Sequence, residues 1–181
     1  MNSKRPILIM VFLHEDLKGY DKDSIYDDYF SWLKTELENI SSRNVSIILS
    51  TESNTPEMYR YRYKNENSDE SVNGWNRMVD NLIAKVADTY PYDPNLTKFL
   101  LLTRDPINST TGGMAPQPGR AGIASILSYR FPAHEVGHML NAAHEDSEII
   151  YDGWWHDTIM KVDIGSSFRG NAYHFSEKNR A

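Results

Sequence analysis

Three short stretches of the chain are dominated by Ile, Leu, Val and Phe: "ILIMVFL" (7–13), "NVSIILS" (44–50) and "KFLLLT" (98–103). Runs of this length and composition, stopped by charged or turn-forming residues, read as buried strands. The spacing between them differs. Ile25, Tyr29, Trp32, Leu33, Leu37 and Ile40 recur at the helical period, with Ser24 as the expected N-cap. Trp75, Met78, Val79, Leu82, Val86 and Tyr90 line one face of a second helix expected over 72–90. Strand, helix, strand, helix, strand in that order predicts an α/β fold with a mainly parallel sheet and right-handed crossovers.

Other segments are less plain. Tyr59, Tyr61 and Tyr63 alternate with Arg60, Arg62 and Lys64. Period-two alternation is the ordinary sign of an amphipathic strand or hairpin arm, although interleaved aromatics and cations also suit stacking on nucleic-acid bases. "DPINSTTGGMAPQPGRAG" (105–122) is rich in Gly, Pro, Ser and Thr and reads as a long loop, a kind that is often functional. It leads into the strand-like "AGIASILSY". The N-terminal "MNSKRPILIMVFLHED" imitates a signal peptide, but its apolar run is short and no small-residue cleavage site follows. It is expected to be the first strand of a mature domain or of a cytosolic protein. No repeat is seen, and one domain is expected over 1–181.

Composition narrows the choice of chemistry. A chain of 181 residues suffices for one core. Its net charge of -6 argues against nucleic acid or an anionic membrane as the main partner, and weighs against the stacking reading of the tyrosines. No apolar run approaches a membrane span. Cysteine is absent, which excludes disulfides and thiolate chemistry and leaves histidine and carboxylates as the strong metal ligands.

Three of the six histidines fall within "HEVGHMLNAAHE" (134–145). Pro132 fits the first position of a helix, where a missing N–H costs nothing. His134 and His138 then stand one turn apart on one face, so both imidazoles can reach one zinc ion at roughly 2.0–2.1 Å. Glu135 projects about 100° round the axis, beside such an ion's open position. The competing reading is an amphipathic helix with solvated histidines; the His-Glu-x-x-His spacing favours zinc. On a continuous helix His144 would lie about 15 Å beyond His134 and about 80° off its face. It joins the site only if the chain leaves the helix near 140–142 and turns back. That turn needs a left-handed residue, for which asparagine is the best choice after glycine. Asn141 stands there and is expected to have positive φ.

With these positions in view, the segment resembles the signature of the metzincin clan of zinc metalloendopeptidases, H-E-x-x-H-x-x-G-x-x-H, with Asn141 in place of the glycine. The resemblance implies that His134, His138 and His144 bind Zn2+ and that Glu135 is the general base for water attacking a peptide carbonyl. It implies a zincin-like α+β architecture: a twisted, mainly parallel sheet with an antiparallel edge strand, an active-site helix, and a small C-terminal subdomain. The division is expected between 1–141 and 142–181. "AGIASILS" would be the edge strand that pairs with an extended substrate. Met160, in "WWHDTIMKV", is the candidate for the clan's methionine in a tight turn beneath the zinc, and "YHFSEKNRA" resembles the start of its C-terminal helix. A side-chain pocket is expected between the 134–141 helix and the segment just after Met160, with Trp154 and Trp155 as pocket wall, partner surface or core.

The expected function is therefore a zinc-dependent endopeptidase acting on a protein or peptide substrate, with neither nucleic acid nor membrane as partner. It is expected to be monomeric unless a partner subunit exists, and secreted like the small bacterial members of the clan that it resembles in size. Two alternatives stand beside it. One is a peptidase whose third ligand is Glu148 instead of His144. The other is a zinc-binding toxin subunit or interaction module with little or no proteolytic activity. His156 and Asp146 are spare ligand candidates, whereas His14 and His174 have no companion at ligand spacing.

Overall fold

A computed structural model describes residues 4–162 and 169–181. The three apolar runs form β1 (Ile7–Leu13), β2 (Val45–Ser50) and β3 (Thr97–Thr103), with β1 parallel to both of the others. β4 (Gly113–Met114) and β5 (Ala121–Ser125) complete the sheet in the order β2-β1-β3-β5-β4. β5 runs parallel to β3, and only β4 is antiparallel. Alternate side chains serve two cores. Ile9, Val11, Leu100 and Leu102 pack with Phe30, Leu33 and Val136 on one face. Phe12, Phe99 and Leu101 pack with Trp75 and Val79 on the other. Burial on both faces is why β1 and β3 read as unbroken apolar runs, whereas β2, at the end of the sheet opposite β4, leaves Ile48 exposed.

Among the described residues the α-helices are α1 (Lys22–Tyr29), α2 (Ser31–Ser41), α3 (Pro56–Tyr59), α4 (Ser68–Val86), α5 (Arg130–Met139) and α6 (Glu177–Arg180). The single helix expected from Ile25 to Ile40 is two, broken at Phe30, whose φ of -125° leaves the helical range while its ring is fully buried. Its cap is also displaced: Asp21, not Ser24, is the N-cap, and its Oδ2 accepts the Ser24 N–H at 2.8 Å. α4 starts earlier than expected because Asn67 caps Asp69 and Glu70, and it ends before Tyr90, which is exposed.

The tyrosine segment keeps its alternation without forming a ladder. Tyr63 is buried with its hydroxyl on Asp16 (2.5 Å), Tyr61 donates to Ser71 O (2.6 Å), and Arg62 and Lys64 face outward. A larger correction concerns the sheet edge. "AGIAS" is not the edge strand: all five of its residues are buried between β3 and β4. The edge is β4, a two-residue ladder inside the Gly- and Pro-rich stretch that reads as a loop, too short to show a period of its own.

Beyond α5 the chain builds a second, three-stranded sheet from β6 (Ile149–Tyr151), β7 (Trp155–Asp157) and β8 (Gly170–Asn171). Trp154 and Trp155 are 55% and 53% exposed there, so they are not core. Among the described residues no helix is long and apolar enough to cross a membrane.

Candidate metal centre

α5 sinks Val136 and Met139 into the core and turns His134, Glu135 and His138 to a cleft of about 530 Å³. Pro132 is its third residue rather than its first, still within the turn whose N–H groups lack intrahelical acceptors. The helix ends at Met139, and Asn141 has φ 81°. Asn141 N–H donates to His138 O (2.9 Å) and Ala142 N–H to Gly137 O (2.8 Å), the paired bonds of a Schellman turn. The chain therefore reverses at once, and extended Ala143 delivers His144 into a short 3-10 turn (His144–Asp146). His144 Nε2 lies 2.9 Å from His134 Nε2 and 2.8 Å from His138 Nε2. Among the described residues these three form the one cluster of three or more His, Asp or Glu with metal-ligand spacing.

The outer ring nitrogens define the inner ones. His134 Nδ1 lies 3.0 Å from Ile159 O and His138 Nδ1 3.1 Å from Ala142 O. A carbonyl only accepts, so the proton sits on Nδ1 and the Nε2 lone pair faces inward. Burial keeps both rings neutral, pushing His134 down to about 3 and lowering His138 as well. Two inward lone pairs against a third ring nitrogen call for a positive charge between them. Three imidazoles with one side open to a cleft are a donor set that suits zinc. Tetrahedral zinc would set the nitrogens about 3.3 Å apart; the two distances to His144 are a few tenths of an ångström shorter and all three ligand atoms lie within 4.8 Å of one another, so the residues fit the ion.

Glu135 lies beside this cluster. Its carboxyl is buried, Oε2 has no hydrogen-bond partner among the described residues, and burial pushes its pKa well above the ordinary carboxylate value. β4 crosses close by: a Cβ on Gly113 would sit 2.9 Å from Glu135 Oε1 and 2.9 Å from Ile123 O, so only glycine permits the approach. A buried carboxyl without partners is costly, and it contributes nothing to packing that an apolar side chain would not.

Met160 supports the cluster from the other side of α5. Lys161 N–H donates to Thr158 O (3.0 Å), closing a tight turn in which Met160 is fully buried. A Cβ on Gly137 would meet Met160 Sδ and Phe175 Cε1 at 2.7 Å each. Glycine inside His-Glu-x-x-His is thus where the helix meets the turn. The carbonyl that orients His134 comes from this same turn.

The remaining candidates lie elsewhere. Glu148 is pinned through its backbone to Thr158, and His156 faces Asp152 (3.1 Å). Neither joins the cluster, nor does Asp146. His14 is buried against Tyr61 O (3.0 Å), and His174 contacts Phe175 O (2.8 Å). The expected pocket segment contributes Lys161 and Val162 to the cleft; residues 163–168 lie outside the described residues. Trp154 and Trp155 do not line it. Sequence reasoning missed Gly113, Gly137 and the carbonyls of Ile159 and Ala142. A Gly-Gly pair in the long loop was the only local signal for the first.

No family model matches the sequence, and no curated protein matches it. Solved structures do. Metalloproteinase-II from Bacteroides fragilis aligns over 96% of this chain with a TM-score of 0.64 and 18% identity. This chain spans 50% of that protein's length. A zinc-dependent peptidase from Methanocorpusculum labreanum aligns over 95% of this chain and 97% of its own, with a TM-score of 0.55 and 15% identity. The fold is a zincin-like metalloproteinase fold. In that fold, β4 is the antiparallel edge and α5 is the helix beside the cleft.

Proposed function

We propose that the protein is a zinc-dependent endopeptidase of the metzincin clan, with His134, His138 and His144 as ligands and Glu135 as general base. The reading is carried by one observation: three imidazole nitrogens converge beside a buried, unpartnered carboxyl in a cleft bordered by a sheet edge. Zinc held there would supply Lewis acidity, activating water and polarising the scissile carbonyl. The chain's own residues do the rest. Glu135 takes the proton from the attacking water and returns it to the leaving amine. A cation on the neighbouring histidines favours its ionised form against the effect of burial. β4 offers backbone groups on its open side, where an extended peptide can add as a further strand.

The fold neighbours, described as a metalloproteinase and a zinc-dependent peptidase, support peptidase chemistry. The Met160 turn and the left-handed Asn141 support the clan. The division into 1–141 and 142–181, and secretion, belong to the same proposal. A module without activity is disfavoured because a purely structural zinc site has no use for Glu135. Glu135→Gln should keep its zinc while cleavage of an internally quenched peptide library falls by about 10²–10⁴-fold. Chelation should abolish wild-type cleavage, and added zinc should restore it. A wild-type protein that holds zinc and cleaves nothing in the library would leave the module reading in its place.

A further inference from the structure

Among the described residues, His144 differs from the other two histidines in having no carbonyl at its Nδ1. Ile159 O and Ala142 O hold the Nδ1 atoms of His134 and His138, whereas no group among the described residues meets His144 Nδ1. The ring is exposed. Its place must be set through the backbone that carries it.

That backbone is gripped on both sides by the C-terminal segment. On the near side, Asn179 uses both ends of its amide on Ala143: Oδ1 accepts the Ala143 N–H at 2.7 Å, and Nδ2 donates to Ala143 O at 3.0 Å. One side chain thus gives Ala143 what a neighbouring strand would give it. On the far side, the Ser176 hydroxyl donates to Asp146 O. Ser176 also caps α6, accepting the Asn179 N–H at 3.3 Å, so the two grips are one unit. The unit is anchored in turn. Glu36 is buried on α2 and accepts the Phe175 N–H at 2.8 Å, while its two oxygens take Arg180 Nη2 at 3.0 and 2.9 Å. A buried carboxylate so paired is expensive to release, which fixes the segment to the main body of the fold.

We propose that Asn179 is the positioning residue of the third ligand, with Ser176 as its companion. Together they hold residues 143–146 so that His144 Nε2 stays at the point where the helix-borne nitrogens converge. The proposal rests on reading His144 as a metal ligand. It makes the C-terminal helix part of the metal centre, through backbone groups 36 and 30 residues earlier in the chain.

The test is zinc affinity, measured on the full chain by competition with a chromophoric chelator, for Asn179→Ala, His144→Ala and the double variant. Asn179→Ala should weaken zinc about 10- to 100-fold, the usual loss when a group supporting a ligand is removed. In the His144→Ala background it should change nothing further, because the ligand it serves is gone. The cobalt(II) absorption bands of Asn179→Ala should shift, whereas those of Lys22→Ala, on α1, should not. Should Asn179→Ala not fold, Asn179→Asp provides the same cycle: it keeps the acceptor for Ala143 N–H and opposes Ala143 O with a second acceptor. An unchanged affinity, or an equal fall with and without His144, overturns the proposal. No loss of affinity in His144→Ala alone would instead overturn the ligand assignment beneath it.

Discussion

The two helix-borne histidines and the loop-borne one arrive at the same point by different physics. α5 buries Pro132, Ala133, Val136 and Met139, so the helix is fixed by the same apolar packing that fixes the sheet. His134 and His138 inherit that placement, and each ring is set by one further hydrogen bond. The segment from Asn141 to Asp146 buries only two alanines. Its path depends on one left-handed residue, two turn bonds and the side chains that clasp it. Burial specifies the helix side strongly, and a handful of directional contacts specifies the loop side. The difference gives the centre one firm wall and one that separate, small changes can loosen.

The largest test of that contrast falls where the two sides meet. Gly137→Val would drive a branched side chain into Met160 and the Phe175 ring, and should destabilise the protein by about 1–3 kcal/mol in urea unfolding. No loss would mean that the turn does not pack under the helix. Next, Asn141→Ala puts a Cβ-restricted residue at φ 81° and should cost roughly 1–2 kcal/mol, with zinc affinity falling alongside; Asn141→Gly should leave both nearly unchanged. Equal behaviour of the two variants would contradict the left-handed turn.

The smallest effect is expected away from the centre, in the turn that follows β1. Burial alone would raise the pKa of Asp16, but hydrogen bonds with His14, Tyr63 and the Arg104 N–H hold it below the ordinary value. A folded pKa lower than the unfolded one contributes stability that is present at neutral pH and lost as pH falls through the lowered value, below about pH 4. Asp16→Asn should flatten that acid limb and leave zinc affinity at neutral pH untouched. A matching loss of zinc would show that the two regions are less separate than their contacts imply.

The same contrast explains what the sequence could reveal. β1 and β3 were legible because burial on both faces leaves an unbroken apolar run, and α4 because one buried face leaves a helical period. His134, Glu135 and His138 follow from helical spacing alone. Asn141 was legible as a necessity, since His144 cannot return without a reversal. The break at Phe30 was hidden because apolar spacing continues across it. The edge strand was hidden because two ladder residues, one of them glycine, carry no period. Asn179 on Ala143 and Phe175 on Glu36 join residues 36 and 139 positions apart, and single directional bonds at such range leave no local pattern.

Zinc K-edge X-ray absorption, on wild-type protein and on His144→Ala, measures the ligand set itself. Three imidazole nitrogens and one oxygen at roughly 2.0–2.1 Å are predicted for the wild type, falling to two imidazoles in the variant. A wild-type site with two imidazoles and a carboxylate, or a spectrum that does not change when His144 is removed, would contradict the three-histidine centre.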